Sequence, residues 1–267
     1  MGQRSRRRKR ESAAFLFLTM ESCPQFCNFA ATATTASNKK SMSWQTALRK
    51  ALQEPLPGTR AHAKMAPSAR PLPPTYFSER GRPRQSSVLI LLYPGQDGLY
   101  IPFIQRPVYE GPHSGQISLP GGKCEPCDPN HWDTALRETR EELGIDTRGV
   151  QYLGTLSEIF IPYSNFIVVP QVGFHKDTLH FQPDPYEVNE VLEVKAAALL
   201  DQPRRTKTIE YPAAPPIEAP YYDANGRHIW GATAMILSEL IEIFNQRTPY
   251  WANALRSCNA RSAPESL

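Results

Sequence analysis

Glu138, Glu141 and Glu142 lie in the run Trp132–Leu143, whose periodicity predicts a helix. Trp132, Leu136, Thr139 and Leu143 share the face to be buried, and the three glutamates span about 100° of the opposite face. Like charges at this spacing repel one another. A divalent cation offsets that cost, and hard oxygen donors select Mg²⁺ or Mn²⁺. Upstream, Pro120-Gly121-Gly122 is expected to be a tight loop in which backbone approaches a ligand closely. Gly144 is expected to end the helix. An E-x-x-E-E cluster alone is ordinarily a solvated helix face. Joined to the glycine loop, Arg137 and the terminal glycine, it points to a metal site.

The arrangement resembles the Nudix box, in which a glycine and an acid precede Arg-Glu, Glu-Glu and a glycine at fixed spacing. Gly122, Asp128, Arg137-Glu138, Glu141-Glu142 and Gly144-Ile145 match it. Asp128 replaces the usual glutamate, and one extra residue separates it from Arg137, an insertion that the coenzyme A-cleaving branch of the family tolerates. Gln105-Arg106 and the run His113–Gly122 are similar to the upstream motif of coenzyme A pyrophosphatases, as are Pro55–Gly58, Met65-Ala66-Pro67 and Ile229–Ala234 to other parts of such proteins. Glu110-Gly111-Pro112 stands where that motif usually carries a second basic residue. The likeness covers roughly residues 45–245.

This resemblance implies an α/β fold, the Nudix α/β/α sandwich with a mixed β-sheet between the box helix and a C-terminal helix. It implies hydrolysis of a diphosphate, that of coenzyme A or an acyl form giving 3′,5′-ADP and 4′-phosphopantetheine. The alternatives are another nucleoside-diphosphate compound, such as ADP-ribose or a dinucleoside polyphosphate, and a non-catalytic nucleotide-binding module. Mg²⁺ or Mn²⁺ would be held by Glu138, Glu141 and Glu142. The general base is Glu138 or, on a later segment, Glu187. Arg137 points off the ligand face and would orient a carboxylate. Arg106 would meet a substrate phosphate, with the 3′-phosphate of coenzyme A as first candidate, or else form a surface ion pair. His113, Gly121 and Gly122 complete the expected substrate site, with His113 as a packed loop residue the alternative.

These residues need a scaffold. Residues 42–54 read as a short helix with Trp44, Leu48 and Leu52 at four-residue spacing. A proline-rich stretch follows and is expected to wrap the surface. Ser87–Tyr93 (SVLILLY) reads as a buried strand, Pro94–Gly98 as a hairpin turn and Leu99–Gln105 as the return strand. Further strands are expected at Val150–Phe160, Phe166–Val172, Glu187–Val194 and Arg204–Tyr211, with a short helix at Lys195–Leu200. Residues 230–245 read as an amphipathic helix with Ile236, Leu237, Leu240, Ile241 and Phe244 inward. The expected organisation is an unfolded extension over 1–41, a helix and proline-rich wrap over 42–86, the catalytic domain over 87–248 and a frayed tail over 249–267.

The formal charge of +4 comes from Arg4, Arg6, Arg7, Arg8, Lys9 and Arg10. The rest of the chain is slightly acidic, which argues against a nucleic-acid binder. Residues 1–33 imitate a secretory leader, but the apolar run Ala13–Leu18 is short and soon followed by Glu21; their Arg- and Ser/Thr-rich, acid-poor composition also suits a transit peptide, and neither is the expectation. No apolar run has the length of a membrane span. Cys124-x-x-Cys127 lacks a second such pair that would complete a zinc site, and five unpatterned cysteines suit a reducing cytoplasm. The expected partner is a small nucleoside-diphosphate molecule, not nucleic acid or membrane. A homodimer stays open.

Overall fold

The computed structural model describes residues 42–68, 81–108, 113–211, 214–249, 251–253 and 255. The expectations for residues 1–41, the prolines of 69–80, Glu110-Gly111-Pro112 and the end of the tail lie outside the described residues. In chain order the elements are α1 (Trp44–Ala51), α2 (Thr59–His62), β1 (Arg84–Pro94), β2 (Leu99–Gln105), β3 (Ile117–Ser118), β4 (Gly121–Lys123) and α3 (His131–Leu143). Then come a 3₁₀ turn (Thr147–Gly149), β5 (Gln151–Thr155), β6 (Ile159–Ile161), β7 (Phe166–Phe174), β8 (Glu190–Lys195) and α4 (Ala196–Leu200). β9 (Arg205–Tyr211), β10 (Ala214–Ala224), β11 (Arg227–Trp230) and α5 (Gly231–Arg247) follow.

β1 explains the layering. Successive strand residues point to opposite faces, so a run that is apolar at every position needs cover on both sides. Leu89 and Leu91 pack against Ala135 and Leu143 of α3. Ile90 and Leu92 enter the opposite cluster, with Leu48 of α1 and Leu237, Leu240 and Phe244 of α5. The three leucines and one isoleucine of this stretch are fully buried, which is worth about 1.5–3 kcal/mol for each. The result is helix, mixed sheet, helix. β1 runs parallel to β7 from Arg84↔Phe166 to Leu92↔Phe174 and antiparallel to β4. β2 carries β3 and β8, and β7 carries β5 and β6.

Several elements differ from the sequence expectation. Val150–Phe160 is two strands, β5 and β6, interrupted where the N–H and hydroxyl of Ser157 donate to Glu239 of α5 at 3.0 and 2.7 Å. A separate antiparallel sheet, β11-β10-β9, was not expected beyond its first strand. Its hairpin turns at Asn225-Gly226, with φ of 55° and 81°, the pair of positive angles that a two-residue type I′ turn requires. The proline-rich lead-in is not only a surface wrap, because Ala61, His62 and Met65 are buried. They seat against α5, where Glu239 accepts from the Gly58 N–H at 2.7 Å and meets His62 Nε2 at 3.2 Å. Glu242 pairs with Arg60 and, at 2.6 Å, with Lys64. These two glutamates fall on the polar side of the amphipathic pattern, yet both are buried, because the lead-in covers that side. Ala252, assigned to a frayed tail, is buried in the same cluster. Among the described residues no helix is long and apolar enough to cross a membrane.

Candidate active site

α3 is bounded by its own sequence. Asn130 caps its start, accepting from the Asp133 N–H at 3.1 Å. Gly144 ends it at φ 65°, its N–H donating to Arg140 O at 2.9 Å. A side chain at 144 would strike Gln182, whose Cβ lies 2.8 Å from where its Cβ would be. Thr139 and Leu143 are buried as expected, with Ala135 beside them. The glutamates are graded: side-chain exposure is 50% for Glu141, 15% for Glu138 and 3% for Glu142. Glu142 is therefore tucked under the sheet edge instead of lying on an open face.

The reason is the glycine pair. Gly121 and Gly122 form a short strand, not the free loop expected from the sequence. Gly121 has φ 150°, and a Cβ there would lie 2.8 Å from Val88 Cγ1 and closer still to the β1 backbone. Its N–H donates to Glu142 Oε2 at 2.8 Å. A Cβ at Gly122 would lie 2.6 Å from Glu138 Oε1 and closer to the rest of that carboxyl. The absence of side chains lets β4 approach β1 on one side and two box carboxylates on the other.

Arg137 ties the cluster together. Its Nε and Nη2 donate to the two oxygens of Asp128 at 3.0 Å each, and Nη2 also reaches Lys123 O at 3.0 Å. Nη1 lies 2.9 Å from Glu138 Oε1 and 3.0 Å from Glu141 Oε2. Asp128 also accepts from Glu125 N and Thr134 Oγ1, both at 2.9 Å. The Arg137 guanidinium holds the Asp128 carboxyl far below the usual carboxylate range. The shorter acid and the extra residue thus leave a two-point Asp–Arg pair intact.

Charge is crowded here. Burial pushes the Glu142 carboxyl up to about 8, against the Gly121 N–H and Arg106, and Glu138 and Glu187 push it further. Burial also raises Glu138, against Arg137, with Glu141 and Glu187 adding to the rise. Burial and the neighbouring carboxylates therefore both oppose the ionisation of Glu138 and Glu142. An all-oxygen donor set of crowded carboxylates fits a hard divalent cation. Among the described residues no three His, Cys, Asp or Glu side chains already converge as a metal cage, and Arg137 supplies the counter-charge in this arrangement.

Arg106, just past β2, has Nη2 4.0 Å from Glu142 Oε1, so its ion pair is inside the cluster and not on a remote surface. Glu187 is exposed and sits in a turn; the strand expected from 187 begins only at Glu190. Sequence reasoning did not anticipate what holds that turn: Gln182 N donates to Leu143 O at 2.9 Å, Asp184 N to Glu142 O at 3.3 Å and Asn189 N to Gln105 O at 2.8 Å. These bonds fasten the Glu187 segment to the end of α3 and to β2. His113, at φ 67°, has Nδ1 3.1 Å from Gln116 Oε1, a loop-stabilising contact.

A NUDIX domain model matches residues 83–212. Nudix hydrolase 22, chloroplastic, of Arabidopsis thaliana is 35% identical over 177 residues, 64% of this chain and 58% of that protein. A mitochondrial coenzyme A diphosphatase of Homo sapiens is 31% identical over 141 residues, 50% of this chain and 57% of that protein. An uncharacterized Nudix hydrolase of Pectobacterium atrosepticum is 31% identical over 192 residues, 68% of this chain and 90% of that protein. The chain thus spans under two thirds of the plant and human relatives and nearly all of the bacterial one.

Proposed function

The chain belongs to the Nudix hydrolase family, and on that premise we propose that it is a divalent-cation-dependent pyrophosphohydrolase acting on coenzyme A or acyl-coenzyme A, with 3′,5′-ADP and (acyl-)4′-phosphopantetheine as products. The observation that carries the reaction class is the cluster of Glu138 and Glu142, both raised by burial and further by the nearby Glu187 carboxylate, with Arg106 beside Glu142. The substrate reading draws support from the upstream motif and from the coenzyme A diphosphatase activity for which the human relative is named.

Glu138, Glu141 and Glu142 would hold Mg²⁺ or Mn²⁺, which when bound supplies Lewis acidity towards a phosphoryl oxygen and acidifies water. The chain's own residues do the rest. Glu138 takes the proton of the attacking water; its raised proton affinity and its tether to Arg137 suit a base held in one orientation. Glu187 is the second candidate base. Arg137 is a positioning residue: five polar contacts fix it, and through it Asp128 orients Glu138 and Glu141. Arg106 lies close enough to Glu142 to meet the diphosphate being cut, which favours that role over recognition of a remote 3′-phosphate. Gly121 and Gly122 leave the space that Glu142 and Glu138 occupy.

The test is product analysis with coenzyme A, acetyl-coenzyme A, dephospho-coenzyme A, ADP-ribose and diadenosine tetraphosphate, each with Mg²⁺, Mn²⁺ or a chelator. The expected result is fastest cleavage of a coenzyme A species, lost with the chelator. Faster cleavage of ADP-ribose would overturn the substrate, and binding without cleavage of any compound would favour a non-catalytic module.

A further inference from the structure

The loop that links β4 to α3 carries two thiols on the segment that supports Arg137. We propose that Cys124 and Cys127 are an oxidisable pair, and that closing them into a disulfide loosens the hold of Asp128 on Arg137. Cys124 Sγ lies 3.3 Å from Nδ1 of His131, the first residue of α3. Cys124 is fixed by its N–H, which donates to Gln85 O at 3.0 Å. Cys127 is exposed, both thiols are free, and Cys127 Sγ lies 3.7 Å from a Glu125 carboxylate oxygen. One thiol thus has an imidazole nitrogen placed to accept its proton as the sulfur attacks, and the other is open to solvent three residues away.

The oxidant is a hydroperoxide. Cys124 sulfur attacks its terminal oxygen, the O–O bond breaks, and the thiol proton passes by way of His131 to the departing oxygen as an alcohol or water leaves. Cys124 is then a sulfenic acid. Cys127 sulfur attacks that sulfur, the S–O bond breaks and water leaves. Two thiols have lost two electrons and two protons, and the peroxide has taken them up.

The structural consequence follows from what lies between the sulfurs. Glu125 to Asp128 form a turn closed by Asp128 N donating to Glu125 O at 3.0 Å, and the Asp128 carboxylate accepts from Glu125 N within the same turn. A disulfide needs its two Cβ atoms about 3.5–4.5 Å apart and facing. Cys124 now faces His131 and Cys127 faces Glu125, so closure turns both sulfurs from these partners within the turn whose Glu125 N–H and O hold Asp128. Arg137 then loses a two-point partner, and with it the fixed placement of Glu138 and Glu141. The effect on turnover rests on the pyrophosphohydrolase reading; the thiol chemistry does not.

The full chain would be reduced, freed of reductant, treated with hydrogen peroxide, alkylated and digested with trypsin. Cleavage after Lys123 and Arg137 releases residues 124–137 as one peptide holding these two cysteines and none of the other three. The expected peptide is two hydrogens lighter and unalkylated. In Cys127→Ser it instead carries a sulfenic acid on Cys124 that dimedone traps, and His131→Ala slows oxidation at least about tenfold. Turnover of the oxidised wild type falls about ten- to a hundred-fold, in line with losing charged hydrogen bonds, and returns with dithiothreitol. A peptide alkylated at both cysteines after peroxide treatment overturns the proposal, as does a disulfide that leaves turnover unchanged. Absence of turnover in the reduced protein would count against the pyrophosphohydrolase instead, with the peptide masses still deciding the thiol pair.

Discussion

Gly121 and Gly122 are neighbours in one short strand, yet alanine at each should fail in a different way. At Gly122 the backbone lies outside the left-handed region, so alanine is conformationally allowed. Its Cβ would sit 2.6 Å from Glu138 Oε1, roughly 1 Å inside ordinary contact. The side-chain end must move by about that much and leave its bond to Arg137. Misplacing a reacting group by about 1 Å can cost on the order of a hundredfold in rate, or about 2.7 kcal/mol of barrier. Gly122→Ala should therefore fold with a melting temperature close to wild type and lose about a hundredfold in kcat. At Gly121 the φ of 150° is unfavourable for alanine, and its Cβ would run into the β1 backbone, which cannot step aside. Strain and overlap together should cost about 2–6 kcal/mol, at roughly 2–4 °C of melting temperature per kcal/mol. The assay pairs thermal melts with steady-state kinetics on the preferred diphosphate substrate. If Gly122→Ala turns over normally, or melts as early as Gly121→Ala, the assignment of the Gly122 gap to Glu138 is wrong.

Other outcomes follow from the same geometry. Glu141→Gln and Glu142→Gln should each stay folded and lose at least about a hundredfold in kcat, because each removes a charged donor with little change of volume; near-normal turnover at saturating Mg²⁺ in either would reject it as a ligand. Arg106→Ala should lower kcat/KM about ten- to a hundred-fold, and by similar factors for coenzyme A and dephospho-coenzyme A; a loss confined to coenzyme A would return Arg106 to the 3′-phosphate. Glu239 has its carboxyl held below the usual range by His62, Ser157 and Gly58 despite burial, so the stability it contributes is complete above the unfolded pKa and fades as pH falls through the lower folded one. Glu239→Gln should flatten the acid limb of melting temperature against pH and cost about 1–3 kcal/mol at neutral pH; an unchanged acid limb would remove Glu239 from that role.

What could be read in the sequence was what local period encodes. The SVLILLY strand, the box helix with its glycine stop, and α5 were legible because burial on one or two faces leaves a pattern within about ten residues. Glu239 and Glu242 were not, because their partners, Gly58 to Lys64, lie some 180 residues away in the chain and no helical period signals that a polar face will be covered. The β10–β11 hairpin did carry a signal, Asn225-Gly226, but prolines at 215, 216 and 220 obscure the strand before it. In the site, the residue types of the cluster were legible. That the glycines make room for carboxylates instead of ligand could not be, since it depends on how β4 pairs with β1.

The parallel pairing of β1 with β7 also orders events during synthesis. The partner of Arg84 is Phe166 and that of Leu92 is Phe174, so the central pair cannot close until about eighty further residues have been made. By then α3, whose caps and stop are local, can already exist as a helix with only Leu89 and Leu91 of β1 to lean on. The edge of β1 that will take β7 meanwhile stays open, and an apolar strand with an open edge is what recruits wrong partners. Chains ending before residue 166 should therefore be found in the insoluble fraction. The last fastening is Glu239 onto Gly58, which draws the two ends of the domain together only when α5 has emerged.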